Sequence, residues 1–246
     1  MSGVVDTNRR YIGFWGHPPR TVLDFYKNKF ALEFIDLDID YGFPDKKVVP
    51  DAYCQIITNI VNNSLALKDN LEIIIASVGE EKCNQGKFAA WILKNLGLKV
   101  IETKNENYND SDVSLKISTS NLPLREKIDR IMKTVYLDDK RIYQQCKPTH
   151  GFWGVPPNDF RILDIFPETT HVYGWTRCVE AGRPADLDLE LYVDKGIPVI
   201  FYTQAFCAKQ QLAKYLAEKY DGLWVDCNGK ITNSIIAKIE AFIRLN

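Results

Sequence analysis

The chain has 246 residues, of which 46% are hydrophobic and 26% charged, an ordinary globular balance with length enough for one large or two small cores. Its 31 Lys plus Arg against 32 Asp plus Glu leave a formal charge of −1, and no Lys/Arg run occurs, which argues against a nucleic-acid binder held by a basic surface. No apolar stretch of about 18 residues suggests a membrane span, the N-terminus lacks the zones of a secretory signal, and a cytoplasmic protein is the expectation.

In chain order, the first signal is Tyr11–Pro19, YIGFWGHPP, which returns as Thr149–Pro157, THGFWGVPP. Glycines allow tight turns, paired prolines permit a helix start, and the Trp is a core aromatic or a pocket wall. Ala31–Ile39 alternates apolar with acidic residues, as a half-exposed strand does, and Ala52–Leu67 is a helix candidate. Leu71–Val78 is a continuous apolar run suited to a strand buried on both faces of a parallel sheet. A helical pattern over Asn84–Leu96, with Phe88, Trp91 and Ile92 at helical spacing, leads to a short strand at Lys99–Glu102.

Thr103–Asp112 reads as a surface loop, and Pro123–Gln145 as one or two linking helices. His171 falls in an expected strand, and Asp186 of GRPAD is placed to cap the next helix. Gly196–Tyr202, Ala208–Tyr220 and Leu223–Asp226 then repeat strand, helix and strand, and Asn228-Gly229 marks a turn before a terminal helix over Ile231–Leu245. The expected fold class is α/β, with two tandem Rossmann-like halves, each with a parallel sheet, related by internal duplication. The halves cover 1–122 and 149–246, with linking helices over 123–148.

The duplication bears on the cysteines. At a constant shift of 124 residues Cys83 falls on Cys207 and Cys54 on Cys178, each half carrying a pair 29 apart. Cys83 and Cys207 stand just past a strand end and before a helix, where ligands collect in open α/β sheets and where a helix N-terminus favours thiolate. If the halves bring these ends together, Cys54, Cys83, Cys178 and Cys207 hold an iron–sulfur cluster, with zinc the lesser candidate. If they do not, the pairs are inherited packing residues. Cys146 and Cys227 have no twin, although Cys146, just before the second motif, is a spare-ligand candidate; His17 and His150 are weak metal candidates. Arg183 is a candidate anchor for a substrate anion, with Trp15 and Trp153 as candidate pocket walls. The absence of G-x-G-x-x-G, P-loop and G-x-S-x-G patterns disfavours dinucleotide, P-loop nucleotide and α/β-hydrolase chemistry.

Three segments also resemble the subunits of the 2-hydroxyacyl-CoA dehydratase and benzoyl-CoA reductase family. They are G-x-P-P-x-x-V-L-x-F at Gly16–Phe25, Y-C-Q-I-I at Tyr53–Ile57 and Y-T-Q-A-F-C at Tyr202–Cys207. The resemblance implies Rossmann-like domains holding a cubane [4Fe-4S] cluster, with Cys54 and Cys207 as ligands and Cys83 as a third. It implies low-potential electron transfer to a substrate such as an acyl-CoA, fed by a reductase partner. The alternatives are a non-catalytic partner or scaffold subunit of a larger anaerobic complex, or a metal-free enzyme binding an organic anion in the cleft between halves.

Overall fold

The computed structural model describes residues 5–79, 83–105, 107, 115–227 and 230–246. The chain divides into two compact units, Met1–Glu106 and Asn107–Asn246.

The first unit runs β1 (Tyr11–Trp15), α1 (Arg20–Phe30), β2 (Glu33–Asp36), α2 (Gln55–Ala66), β3 (Leu71–Ser77), α3 (Asn84–Asn95) and β4 (Val100–Thr103). All strand pairs are parallel, in the order β2-β1-β3-β4. β1 is wholly buried and β3 nearly so, as expected of central strands covered on both faces.

The second unit begins with α4 (Leu124–Lys133) and continues with β5 (His150–Gly154), β6 (Thr170–Tyr173), α5 (Trp175–Glu180), α6 (Leu187–Leu191), β7 (Val199–Gln204), α7 (Gln210–Lys219), β8 (Leu223–Cys227) and α8 (Asn233–Leu245). Its sheet is also parallel, ordered β6-β5-β7-β8, the same arrangement as in the first unit. The fold is therefore α/β with two Rossmann-like halves. The GFWG motif supplies the second strand of each sheet order, β1 or β5. Among the described residues no helix is long and apolar enough to cross a membrane.

Three expectations change. The units meet at 106/107 rather than near 122, and α4 packs on α5 and β6, so it is part of the second unit and not a link. The start of that unit is tied to α5 by Glu180, whose half-buried carboxylate accepts from the backbone N–H of Ile117 (2.6 Å) and Ser118 (2.9 Å). The inward face of α3 also differs: Phe88 and Trp91 are 52% and 64% exposed, while Gly86, Ala89, Ala90 and Leu93 are buried. In α7, Ala213, Leu216 and Ala217 are buried and Tyr215 is exposed. Small residues let each helix lie close on its sheet, so the alanines are the true core face and the large rings go outward. Most of the expected 103–112 loop and the Asn228-Gly229 turn lie outside the described residues.

Candidate functional site

In each sheet the chain leaves the first strand to one side and returns on the other, which puts a crevice at the carboxyl ends of β1 and β3, and of β5 and β7. Helices that follow strands begin at this edge, so the side chains opening those helices line it.

In the first unit β1 turns through Gly16, at φ 68°, a conformation glycine adopts without strain. The Gly16 N–H donates to Asp38 Oδ2 at 3.1 Å, and the Asp38 N–H to Asp36 Oδ1 at 3.2 Å. Asp36 is buried at the end of β2. Burial first, and the Asp38 carboxylate next, hold its carboxyl well above the usual carboxylate range. The loop after β2 is tied down by a polar face of α2. Asn63 Nδ2 donates to the carbonyls of Leu37 (2.9 Å) and Ile39 (2.7 Å), Asn59 Nδ2 donates to that of Asp38 (3.1 Å), and Asn62 Oδ1 accepts from Lys46 N (3.0 Å). These amides are buried and satisfied. The readable signal was their spacing, 59, 62 and 63, a single helix face.

The Asp36 shift makes a pH prediction. A carboxyl that keeps its proton to higher pH when folded means that the folded chain binds more protons than the unfolded chain above pH 3.8. The stability it contributes is full below that value and is lost as pH rises through the folded-state pKa. Asp36→Asn keeps the acceptor for Asp38 N–H and removes the titration. It should flatten the decline of Tm between about pH 4 and pH 8 and raise Tm at pH 7 by a few degrees, where about 2–4 °C corresponds to 1 kcal/mol. Calorimetry across pH tests this; a variant that loses Tm at pH 7 while still folding would contradict it.

Cys54 and Cys83 are the N-cap residues of α2 and α3, both with extended backbone, Cys54 buried and Cys83 exposed. Among the described residues, α1, α2 and α3 have no side-chain cap and no acidic residue in their first turns. By contrast α6 is capped by Asp186 and α8 by Thr232. First-turn N–H groups without a side-chain acceptor carry the partial positive charge that favours a thiolate or an anion. Trp15 is only 3% exposed, and its Nε1 has no hydrogen-bond partner among the described residues.

The second unit treats its matched residues differently. Cys54 caps a helix, but Cys178, its partner at the constant shift, lies inside α5. Cys178 is buried, its Sγ donates to Asp186 O at 3.7 Å, and burial pushes its thiol up to about 12. Unlike Cys54, it is not at the N-terminus of a helix, so no set of free first-turn N–H groups favours its thiolate. Equal spacing misled here because the segments after β2 and β6 are built differently: a long loop before α2, a single glycine before α5. Cys207 is half-buried just after β7, its N–H donating to Gln204 O and its carbonyl accepting from Gln210 N, both at 3.0 Å. It stands two residues before Lys209, the N-cap of α7, whereas Cys83 is itself the N-cap of α3.

Arg183 pairs with Asp186 at 3.6 Å, and Asp186 caps α6 through Leu189 N at 2.9 Å, so GRPAD is a helix-capping segment. Trp153 is fully buried with Nε1 donating to Glu190 O at 2.7 Å, which makes it a core residue rather than a pocket wall. Cys227 is buried at the end of β8 with Sγ donating to Lys230 O at 3.4 Å, and His150 Nε2 lies 3.3 Å from Ile243 O. His17 is buried after β1. Among the described residues no group of three or more His, Cys, Asp or Glu is placed to hold a metal ion. The first unit brings Cys54 and Cys83 to one sheet edge, the second carries Cys207 at its own, and the fourth thiol is sealed. Compared with models of known protein families and with curated proteins, the chain matches none.

Proposed function

We propose that this chain is a cytoplasmic iron–sulfur protein of the 2-hydroxyacyl-CoA dehydratase and benzoyl-CoA reductase type, built from a duplicated Rossmann-like half. Cys54 and Cys83 are its ligands, both in the first unit. The observation that supports this reading is that Cys54 and Cys83 each occupy the N-cap of a helix at the carboxyl edge of a parallel sheet, where no side chain competes to cap that helix. There the helix N-terminus favours the deprotonated, ligating form. A cluster held there would supply low-potential single electrons for a substrate such as an acyl thioester, with an external reductase as partner. The protein's own part is to hold the thiolates at the N-termini of α2 and α3.

Protein produced with iron supplied and purified without oxygen should be brown and contain iron and acid-labile sulfide. Cys54→Ser and Cys83→Ser should each lose most of the iron, whereas Cys178→Ala should keep it. A colourless, iron-free protein would overturn the reading.

A second reading is favoured by the buried Trp15 indole, whose N–H has no acceptor among the described residues while that of Trp153 has one. In it, this N–H and the uncapped first turn of α1 take a carboxylate- or phosphate-bearing ligand without metal. Iron-free protein that binds such a ligand would support it.

A further inference from the structure

The second unit holds a group of reactive side chains away from its carboxyl edge. Cys146 lies in an irregular segment before β5, between the exposed residues Gln145 and Lys147, and is itself half-exposed. The Sγ of Cys146 is 3.8 Å from Nε2 of His171, on edge strand β6, and the same Nε2 is 3.0 Å from the Cys146 carbonyl oxygen. On the far side of the ring, His171 Nδ1 is 3.9 Å from Asp194 Oδ2. His171 is only 5% exposed, and its Nδ1 has no hydrogen-bond partner among the described residues. Asp194 is fixed by the hydroxyls of Tyr173 (2.7 Å) and Tyr192 (2.5 Å). Two cations complete the surroundings. Lys127 is wholly buried, its Nζ donating to the carbonyls of Glu168 (2.8 Å) and Thr170 (2.5 Å), and Arg177 packs over the Tyr173 ring at 4.1 Å.

Neutral His171 has two tautomers. With the proton on Nε2 it donates to the Cys146 carbonyl; with the proton on Nδ1, the side of Asp194, it leaves the Nε2 lone pair toward the Cys146 sulfur. The Cys146 Sγ also donates to the carbonyls of Ser120 (3.2 Å) and Thr119 (3.7 Å), so a turn of the thiol from these carbonyls toward the ring makes the reactive arrangement. Taking up the thiol proton makes His171 the imidazolium, flanked by the Cys146 carbonyl and Asp194. Burial and the Lys127 and Arg177 charges oppose that form, lowering the proton affinity of His171. A thiolate beside the ring offsets them, because it brings a negative charge to Nε2, and the Lys127 ammonium is itself favoured by charge on Cys146. Proton transfer from sulfur to nitrogen therefore creates an ion pair flanked by Asp194 and Lys127.

We infer that Cys146 is a nucleophilic thiol that His171 and Asp194 activate for exchange with small-molecule disulfides. The thiol proton passes to His171 Nε2. The Cys146 sulfur then attacks one sulfur of the disulfide R–S–S–R, the R–S–S–R bond breaks, and a Cys146–S–S–R bond forms. The leaving thiolate R–S⁻ takes the proton back from His171, so the disulfide is the only oxidant and no electrons are left over. This inference is independent of the iron–sulfur reading, since none of its residues is a proposed ligand.

The test is oxidised glutathione added to the full chain, followed by peptide mass mapping over time, with Cys146 of the same chain unfolded in urea as the reference thiol. At pH 6 Cys146 of the folded chain should form the mixed disulfide about fivefold faster than in the unfolded chain, because His171 takes up the thiol proton as the sulfur attacks. His171→Gln should remove the advantage, and Asp194→Asn should remove part of it. Cys146 modified no faster in the folded protein than in the unfolded chain would overturn the inference, whether or not the variants fold. So would a folded His171→Gln protein with an unchanged rate.

Discussion

Trp153→Ala will destabilise the protein by about 3–5 kcal/mol, the range for truncating a buried aromatic in a core that cannot fully collapse. The indole is fully buried in a cluster with Tyr173, Val193, Val199, Phe201, Ala213, Leu216 and Ala217, its ring centroid 5.9 Å from that of Phe201. Its Nε1 also closes the Glu190 carbonyl at 2.7 Å. Truncation leaves a cavity and a buried carbonyl without its donor. Trp153→Phe keeps most of the packing and should cost about 1–3 kcal/mol, the penalty for leaving that carbonyl unsatisfied together with a smaller cavity. Trp15→Phe, at the matching position, breaks no hydrogen bond among the described residues and should cost less than Trp153→Phe. Urea unfolding measures all three; a Trp153→Ala loss below about 1 kcal/mol would contradict the core assignment, because marginal domains feel such changes directly.

Gly174→Ala should be nearly as damaging, with a loss of about 3 kcal/mol from two sources. Gly174 links β6 to α5 at φ 71°, ψ −151°, a conformation essentially restricted to glycine. A Cβ there would stand 2.9 Å from Trp153 Cε2 and Nε1 and 3.0 Å from Gly154 N. The neighbour that would have to move is the same fully buried indole, so relief by side-chain rotation is closed. Gly86→Ala is the control: it lies in α3 with nothing within 4 Å of its Cβ and should be neutral or stabilising by up to about 1 kcal/mol. A Gly174→Ala protein as stable as its parent would show that this link can relax.

The cysteines show how far spacing carries an argument. Cys83 and Cys207 were legible as residues just past strand ends and before helices, because apolar runs, helical periodicity and glycine stops place those helices in the sequence, whereas Cys54 stood inside the helix expected over Ala52–Leu67 and is instead its N-cap. Cys178 was read as the twin of Cys54 on the same arithmetic, yet α5 begins one residue after β6 and swallows it. The asparagine face of α2 stood in the sequence at positions 59, 62 and 63, but its purpose depends on a loop that returns across it. Cys146, His171 and Asp194 carry no local signal at all; they meet because the segment before β5, edge strand β6 and the loop before β7 lie together.

From the sequence alone came the α/β class and the parallel sheets. A strand covered on both faces must be apolar almost throughout, and a crossover must bring a helix between two such runs, so both features are written locally. Which face of each helix turns inward was decided only in three dimensions, because α3 has rings on one side and alanines on the other, and close approach to the sheet selects the alanines. Tertiary structure likewise decided which thiols stay at an edge and which are sealed, since the environment of a sulfur atom is set by chain segments far from it in sequence.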